Sequence, residues 1–149
     1  MGETAGSGLP REDGERAVRL RIPAKAEYIA LCRLALTGLG QVRGIADDTM
    51  ADLKLALTEA VSNSIRHAYG PNGAGQVEIT YELRPDLLGI EVVDDGEGFD
   101  PDTPSFDGDD LSEGGLGIAI IRSIADELEI DSAPGRRGSR LRFVKRLSS

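Results

Sequence analysis

The stretch that decides the fold is Val92-Val93-Asp94-Asp95-Gly96-Glu97-Gly98-Phe99-Asp100. An apolar strand delivers Asp94 to its end, and glycines follow at the second and fourth positions after it, where the backbone can approach a ligand closely. As a hydrogen-bond acceptor, the Asp94 carboxylate can bind the exocyclic amino group of adenine. A simple turn is the alternative interpretation, because Asp-Gly is common after strands.

A long helix precedes this strand. Its apolar spacing predicts a start near Asp48, as the N-cap, and an end at Tyr69, where Gly70-Pro71-Asn72-Gly73 terminates it. Glu59 and Asn63 are four residues apart and share one face, about 6 Å apart along the axis. A carboxylate can accept a hydroxyl proton, and an amide oxygen suits Mg²⁺. A solvated polar face is the alternative for such a pair taken alone.

A glycine-rich turn, Ser112-Glu113-Gly114-Gly115-Leu116-Gly117, leads into a helix predicted over residues 116–127. Free N–H groups and the positive end of the helix dipole favour anions at such a start. The turn lacks the Gly-Lys-Ser/Thr of a P-loop, and no strand feeds directly into it as in a dinucleotide fingerprint. The whole stretch 94–117 is too long for a simple connector, and loops of this length are usually functional or disordered.

The remaining segments predict interleaved strands and helices. A strand is expected at 18–22, a helix over 25–39 stopped by Gly38 and Gly40, a hairpin of strands 76–83 and 87–93, and strands at 128–131 and 139–147. This order favours an α/β sandwich: a mixed, mostly antiparallel sheet with helices on one face. Residues 1–14 lack periodicity, so we expect a disordered extension before a single domain at 15–149. Cys32 lies on an apolar helix stripe and is expected to be a small buried hydrophobe.

Composition excludes several classes of protein. The chain has 149 residues and a formal net charge of −9, whereas binding nucleic acid directly requires a basic footprint. No apolar run is long enough to cross a bilayer, and the N-terminal residues do not form a secretory signal. One cysteine fits a reducing cytosol. We therefore expect one cytoplasmic domain that contacts neither nucleic acid nor membrane.

The three segments occur together in a known order. A Glu-x-x-x-Asn helix, an Asp-x-Gly-x-Gly strand end and a Gly-x-Gly helix start form the signature of the Bergerat (GHKL) ATP-binding fold. Further blocks closely resemble the anti-sigma factor serine kinases of the RsbW type, at residues 22–28, 33–38, 56–63, 67–69 and 111–117. The resemblance covers nearly everything from about Val18 to Leu147.

The resemblance implies two activities. Such a protein sequesters an alternative RNA polymerase sigma factor, and it uses ATP and Mg²⁺ to phosphorylate a serine of an anti-anti-sigma (STAS-type) antagonist. The unphosphorylated antagonist captures the kinase and frees the sigma factor, and relatives form homodimers. By position, Glu59 would be the general base, Asn63 the Mg²⁺ ligand and Asp94 the adenine acceptor, with residues 99–113 as the ATP lid. The other implied nucleotide contacts are His67, Gly96, Gly98, Gly114, Gly115, Leu116, Gly117 and Ser139.

The sequence departs from its relatives in the lid. Some relatives carry a basic residue there, but residues 97–121 of this chain contain neither Lys nor Arg. Magnesium, backbone amides and the helix dipole would then stabilise the transferred charge, with Arg66 and Arg122 as distant candidates, and we predict slow turnover. A non-catalytic ATP-binding module that only sequesters a partner stays an alternative. A sensor histidine kinase is disfavoured, because no dimerisation hairpin precedes the domain and the single histidine, His67, lies in the ATP-site helix.

Basic residues crowd the C-terminal strand. An alternating edge strand with one solvated face is the favoured interpretation of this pattern. By analogy with relatives, a protein interface is better sought at Arg19, Arg21 and Arg33.

Overall fold

An antiparallel sheet organises the computed structural model, which describes residues 16–68, 75–97 and 115–147. Its five strands follow the order β1-β2-β3-β5-β4, and every neighbouring pair is antiparallel. This confirms the predicted sandwich, with the apolar strand 87–93 at the centre of the sheet. The strands are β1 (Arg16–Pro23), β2 (Gln76–Arg84), β3 (Leu87–Glu97), β4 (Glu127–Asp131) and β5 (Arg137–Arg146).

The helices pack on one face of this sheet. A 3-10 turn (Ala26–Tyr28) leads into α1 (Ile29–Arg43), and α2 (Asp47–Ala68) lies over the central strands between α1 and α3 (Gly115–Ile124). Alternate residues of β2 face the helices, so Val77, Ile79 and Tyr81 are buried completely. Every second residue of a strand lies on the same face, so these three apolar side chains all point into the core between the sheet and the helices.

Cys32 is buried in that core, as predicted. It is completely inaccessible, and its carbonyl oxygen accepts a 2.8 Å hydrogen bond from the Tyr81 hydroxyl, which ties β2 to α1. Burial raises the pKa of the Cys32 thiol to about 11. The thiol therefore stays protonated at neutral pH and behaves as a small apolar group.

The opposite face of the sheet carries paired charges. Arg142 Nη2 donates to Glu82 Oε1 at 2.8 Å across the central strand, and this hydrogen bond raises the pKa of Arg142. The pair passes over Gly89, where a Cβ would lie 3.2 Å from Glu82 Oε1. The interpretation of the basic C-terminal strand as an edge strand is wrong, because β5 lies between β3 and β4 and its arginines meet carboxylates on both sides.

The glycines predicted to stop the first helix lie inside it. Helix α1 continues through Gly38 and Gly40 to Arg43 and ends at Gly44, which has a left-handed φ of 76°. A Cβ on Gly40 would overlap the end of the Met50 side chain, so this glycine lets α1 and α2 approach closely. Tertiary packing of this kind outweighs the low helix propensity of glycine.

Other boundaries shift by a few residues. Helix α2 begins at Asp47, so Asp48 lies within its first turn and its Oδ1 accepts a hydrogen bond from the Thr49 N–H at 2.8 Å. Helix α3 ends at Ile124, where Lys145 Nζ donates to the Ile124 carbonyl oxygen at 3.2 Å and satisfies a free C-terminal acceptor. The expected extension at 1–14, and the helix end at residues 69–73, lie outside the described residues.

None of the helices in the described ranges is both long enough and apolar enough to traverse a bilayer.

Candidate nucleotide site

Asp94 is a buried carboxylate held by two donors. It is 5% exposed, and its Oδ1 accepts the Gly96 N–H at 2.9 Å while its Oδ2 accepts the Ser139 hydroxyl at 2.6 Å. The two residues meet because Asp94 and Ser139 are paired across β3 and β5. A carboxylate offers about four acceptor positions, so these bonds leave capacity for a ligand amino group.

The strand end beyond Asp94 is irregular. The pairing of β3 with β5 shifts between Asp94 and Glu97, as expected of a β-bulge. Arg137 Nη2 donates to the Asp95 carbonyl oxygen at 2.8 Å and lies 3.5 Å from the Asp95 carboxylate. These contacts fix the backbone that presents Asp94 and Gly96.

Gly96 packs directly against the end of α2. A Cβ built on it would overlap the His67 carbonyl and lie 2.5 Å from Ala68 Cα. Gly75 makes a similar approach, since a Cβ there would overlap the Ala68 carbonyl. The sequence motif predicted that Gly96 gives a ligand room, and the structure adds a packing role against α2. No sequence signal marked the role of Gly75.

We expect Gly96→Ala to lower the free energy of unfolding by about 3 kcal/mol, because its Cβ would meet main chain that cannot rotate away. Thermal unfolding followed by circular dichroism measures this change. Gly38→Ala is the matched control, since no atom of the described residues outside its own helix backbone lies within 4 Å of a Cβ there. It should raise the stability by about 0.5–1 kcal/mol through helix propensity. Equal stabilities of the two variants would contradict the packing role of Gly96.

Helix α2 also carries the predicted carboxylate and amide. Asn63 is 3% exposed, and its Oδ1 is buried with no hydrogen-bond partner among the described residues. Glu59 is partly exposed one turn earlier on the same helix. A buried amide oxygen without a partner is costly, and such an atom fits a hard cation as its ligand.

Glu59 reaches the start of α3. A Cβ on Gly117 would lie 2.8 Å from Glu59 Oε1, so the carboxylate lies beside the first turn of this helix. That turn holds no acidic residue of its own, and the positive end of the helix dipole favours a nearby anion. Glu59 and the glycine-rich helix start therefore meet in space, although 58 positions separate Glu59 from Gly117 in the chain.

The other predicted contacts are placed as follows. His67 lies in the last turn of α2 and is partly buried, with its carbonyl beside Gly96. Gly115 opens α3, and Leu116 beside it is 49% exposed. Arg66 and Arg122 are exposed, and Arg122 lies in the last turn of α3, away from the helix start. Gly98, Gly114 and the lid at 99–113 lie outside the described residues.

The fold and the site together define a class of protein. A strand-end acceptor, an amide and a carboxylate on the helix above it, and a glycine-rich helix start are the parts of a Bergerat-type nucleotide-binding sandwich. The family described as Histidine kinase-like ATPase domain matches residues 22–145 of the chain.

Comparison with known proteins shows which members of this class the chain resembles. The serine-protein kinase RsbW of Bacillus velezensis is 36% identical, with 79% of each chain covered, and that of Staphylococcus aureus is 36% identical, with 89% of each covered. The crystal structure of the RsbU and RsbW domains of Rv1364c from Mycobacterium tuberculosis shares the fold, with a TM-score of 0.64 and 20% identity. That match covers 89% of this chain and 33% of the other.

The chain therefore belongs to the histidine kinase-like ATPase family and, within it, to the RsbW serine-protein kinases. The resemblance inferred from the sequence blocks is confirmed.

Proposed function

We propose that this kinase binds ATP with Mg²⁺, phosphorylates a serine of an anti-anti-sigma (STAS-type) protein, and sequesters an alternative sigma factor when that antagonist is phosphorylated. The observation that carries the proposal is the buried Asn63 Oδ1, which has no hydrogen-bond partner among the described residues and lies one helical turn from Glu59. A purely structural helix face would bury an apolar side chain at this position, because an unpaired amide oxygen costs about 1–3 kcal/mol.

The adenine end of the nucleotide is assigned to Asp94. Its buried carboxylate is already oriented by Ser139 and by the Gly96 N–H, so it needs no rearrangement to accept an exocyclic amine. Ser139 thus supplies the hydroxyl that many relatives carry as a threonine. We also assign contacts to His67, Gly98 and Leu116 by their positions in the motif.

The phosphate end is assigned to the start of α3 at residues 115–117. Its free N–H groups and the helix dipole favour phosphate oxygens. Gly114 is assigned to the phosphate end only by its position in the motif. Asn63 would hold the magnesium ion, which typically takes only one or two protein ligands beside phosphate oxygens and water. When bound, magnesium would neutralise charge that develops on the transferred phosphoryl group.

Glu59 is assigned as the general base. The serine oxygen of the antagonist attacks the γ-phosphorus, the bond to the β,γ-bridging oxygen breaks, and ADP leaves. The serine proton passes to the Glu59 carboxylate. The partial exposure of Glu59 supports this role, because a protein substrate must reach the group from outside.

Membership of the RsbW family supports the following proposals about partners. We assign an alternative sigma factor and an anti-anti-sigma protein as its partners, a homodimer as its working form, and the cytoplasm as its place of action. The outer face of the sheet does not favour nucleic acid, because carboxylates such as Glu82 and Glu91 neutralise its arginines.

The test is a phosphotransfer assay. The purified chain is mixed with radiolabelled Mg-ATP and each candidate antagonist, with the acceptor serine changed to alanine as the control. We expect label on the unmodified antagonist only, accumulating slowly because residues 97–121, which include the lid at 99–113, carry neither Lys nor Arg. Tight binding of a sigma factor without any transfer would instead favour the non-catalytic sequestering module. Failure to bind ATP or ADP at millimolar concentration would contradict the proposal altogether.

A further inference from the structure

We propose that Gly117 is a positioning residue for the Glu59 carboxylate, an inference that rests on the proposed role of Glu59 as the base. Gly117 is buried in the first turn of α3. A Cβ built on it would lie 2.8 Å from Glu59 Oε1 and 3.9 Å from its Cδ. The Glu59 oxygen that would accept the serine proton therefore borders the space left by the missing side chain of Gly117.

Other glycines of the described chain serve different purposes. At Gly96 and Gly75 a Cβ would meet main chain, and at Gly40 it would meet the methyl end of Met50. At Gly117 the three nearest atoms belong to the Glu59 side chain, counting the described residues outside its own helix backbone. Within the described chain, a substitution at Gly117 thus acts first on Glu59.

The fold itself would accept alanine at position 117. Alanine favours a helix more than glycine does, and the atom it would displace is the free end of a flexible side chain. The chemistry is less tolerant, because a general base must lie about 2.6–3.2 Å from the proton donor. A misplacement of about 1 Å can cost about 10²-fold in rate. The proposed phosphotransfer reaction therefore explains a glycine at position 117 better than helix stability does.

The first experiment separates an effect on the Glu59 carboxylate from an effect on nucleotide binding. In Gly117→Ala, we expect kcat for antagonist phosphorylation at saturating Mg-ATP to fall about 10²-fold. The dissociation constant for ADP, measured by calorimetry, should change by less than about threefold, because alanine keeps the main-chain N–H through which this helix start is assigned to phosphate. A weakened ADP affinity with kcat intact would overturn the inference, since Gly117 would then serve only the approach of phosphates.

The second experiment combines Gly117→Ala with Glu59→Asp. The shorter side chain retreats from α3 and leaves room for the added methyl group. In the Glu59→Asp background, Gly117→Ala should therefore lower kcat by less than about threefold. An equal loss in both backgrounds would show that Gly117 acts through something other than Glu59, and the inference would be wrong.

Controls separate this inference from the proposed function. Gly38→Ala should leave kcat unchanged, because in the described part of the chain only its own helix backbone comes within 4 Å of a Cβ at this position. Wild-type transfer by Glu59→Gln would remove the base assignment itself. Wild-type transfer by Gly117→Ala beside an inactive Glu59→Gln would overturn only the positioning role.

Thermal unfolding tests the case in which Gly117→Ala destabilises the protein. If Gly117→Ala lowers the unfolding midpoint, adding Glu59→Ala should restore it, because the remaining Glu59 Cβ lies 3.8 Å from the added methyl position, an ordinary contact. A midpoint that stays low in the double variant would contradict the inference.

Discussion

We expect Glu59→Gln to lower kcat for antagonist phosphorylation by about 10²–10⁴-fold, the usual contribution of a general base. Glutamine keeps the size and the hydrogen-bonding capacity of glutamate but cannot take the serine proton at neutral pH. The side chain lies beside the start of α3, so the amide can occupy the same place without a packing defect. Single-turnover transfer from radiolabelled ATP measures the chemical step directly.

The affinity of Glu59→Gln for nucleotide shows whether the substitution affects binding as well as the chemical step. We expect the dissociation constant for ADP to stay within about threefold of wild type, because the adenine acceptor Asp94 is elsewhere in the site. Glu129→Gln, on the outer face of β4 and 65% exposed, is the matched control and should transfer phosphate normally. Unchanged transfer by Glu59→Gln would remove Glu59 from the mechanism, whereas lost ADP binding would reassign it to nucleotide binding.

We expect Asn63→Leu to change stability and activity in opposite directions. Asn63 Oδ1 is buried without a hydrogen-bond partner in the described chain, so leucine of similar volume should raise the free energy of unfolding by about 1 kcal/mol. For a domain of this size, that corresponds to about 2–4 °C in the unfolding midpoint. Loss of the magnesium ligand should lower phosphotransfer about 10³-fold, because a catalytic metal contributes several kcal/mol.

Calorimetry with and without magnesium tests the assignment of Asn63 most directly. Wild-type protein should bind ATP more tightly with Mg²⁺ than with EDTA, and Asn63→Leu should lose that difference. Asn63→Asp is the matched variant: it keeps an oxygen ligand but buries a charge at a position that is 3% exposed. Its stability should fall without magnesium and recover when magnesium nucleotide is added. A magnesium-dependent affinity that survives in Asn63→Leu would exclude Asn63 as the ligand.

The sequence by itself determined the order and kind of the described elements. Period-two and period-3.6 spacing depends on local geometry alone, so the sequence predicted a strand at β2 and a helix at α2, and the structure contains both. The proximity of Glu59 and Asn63 also followed from the helix repeat. The order of the three motifs along the chain was enough to identify the family without any tertiary contact.

Only the tertiary structure decided where these local pieces meet. Strand order is set by pairing between distant segments, so the sequence could not tell that β5 lies inside the sheet and meets carboxylates on both sides. Helix α1 passes through Gly38 and Gly40 because its packing on α2 outweighs propensity. The same holds at the site, where the reasons for Gly96 and Gly117 are a carbonyl of α2 and the carboxylate of Glu59. The motifs marked both glycines, but the contact for which each glycine leaves space depends on a segment that is distant in the sequence.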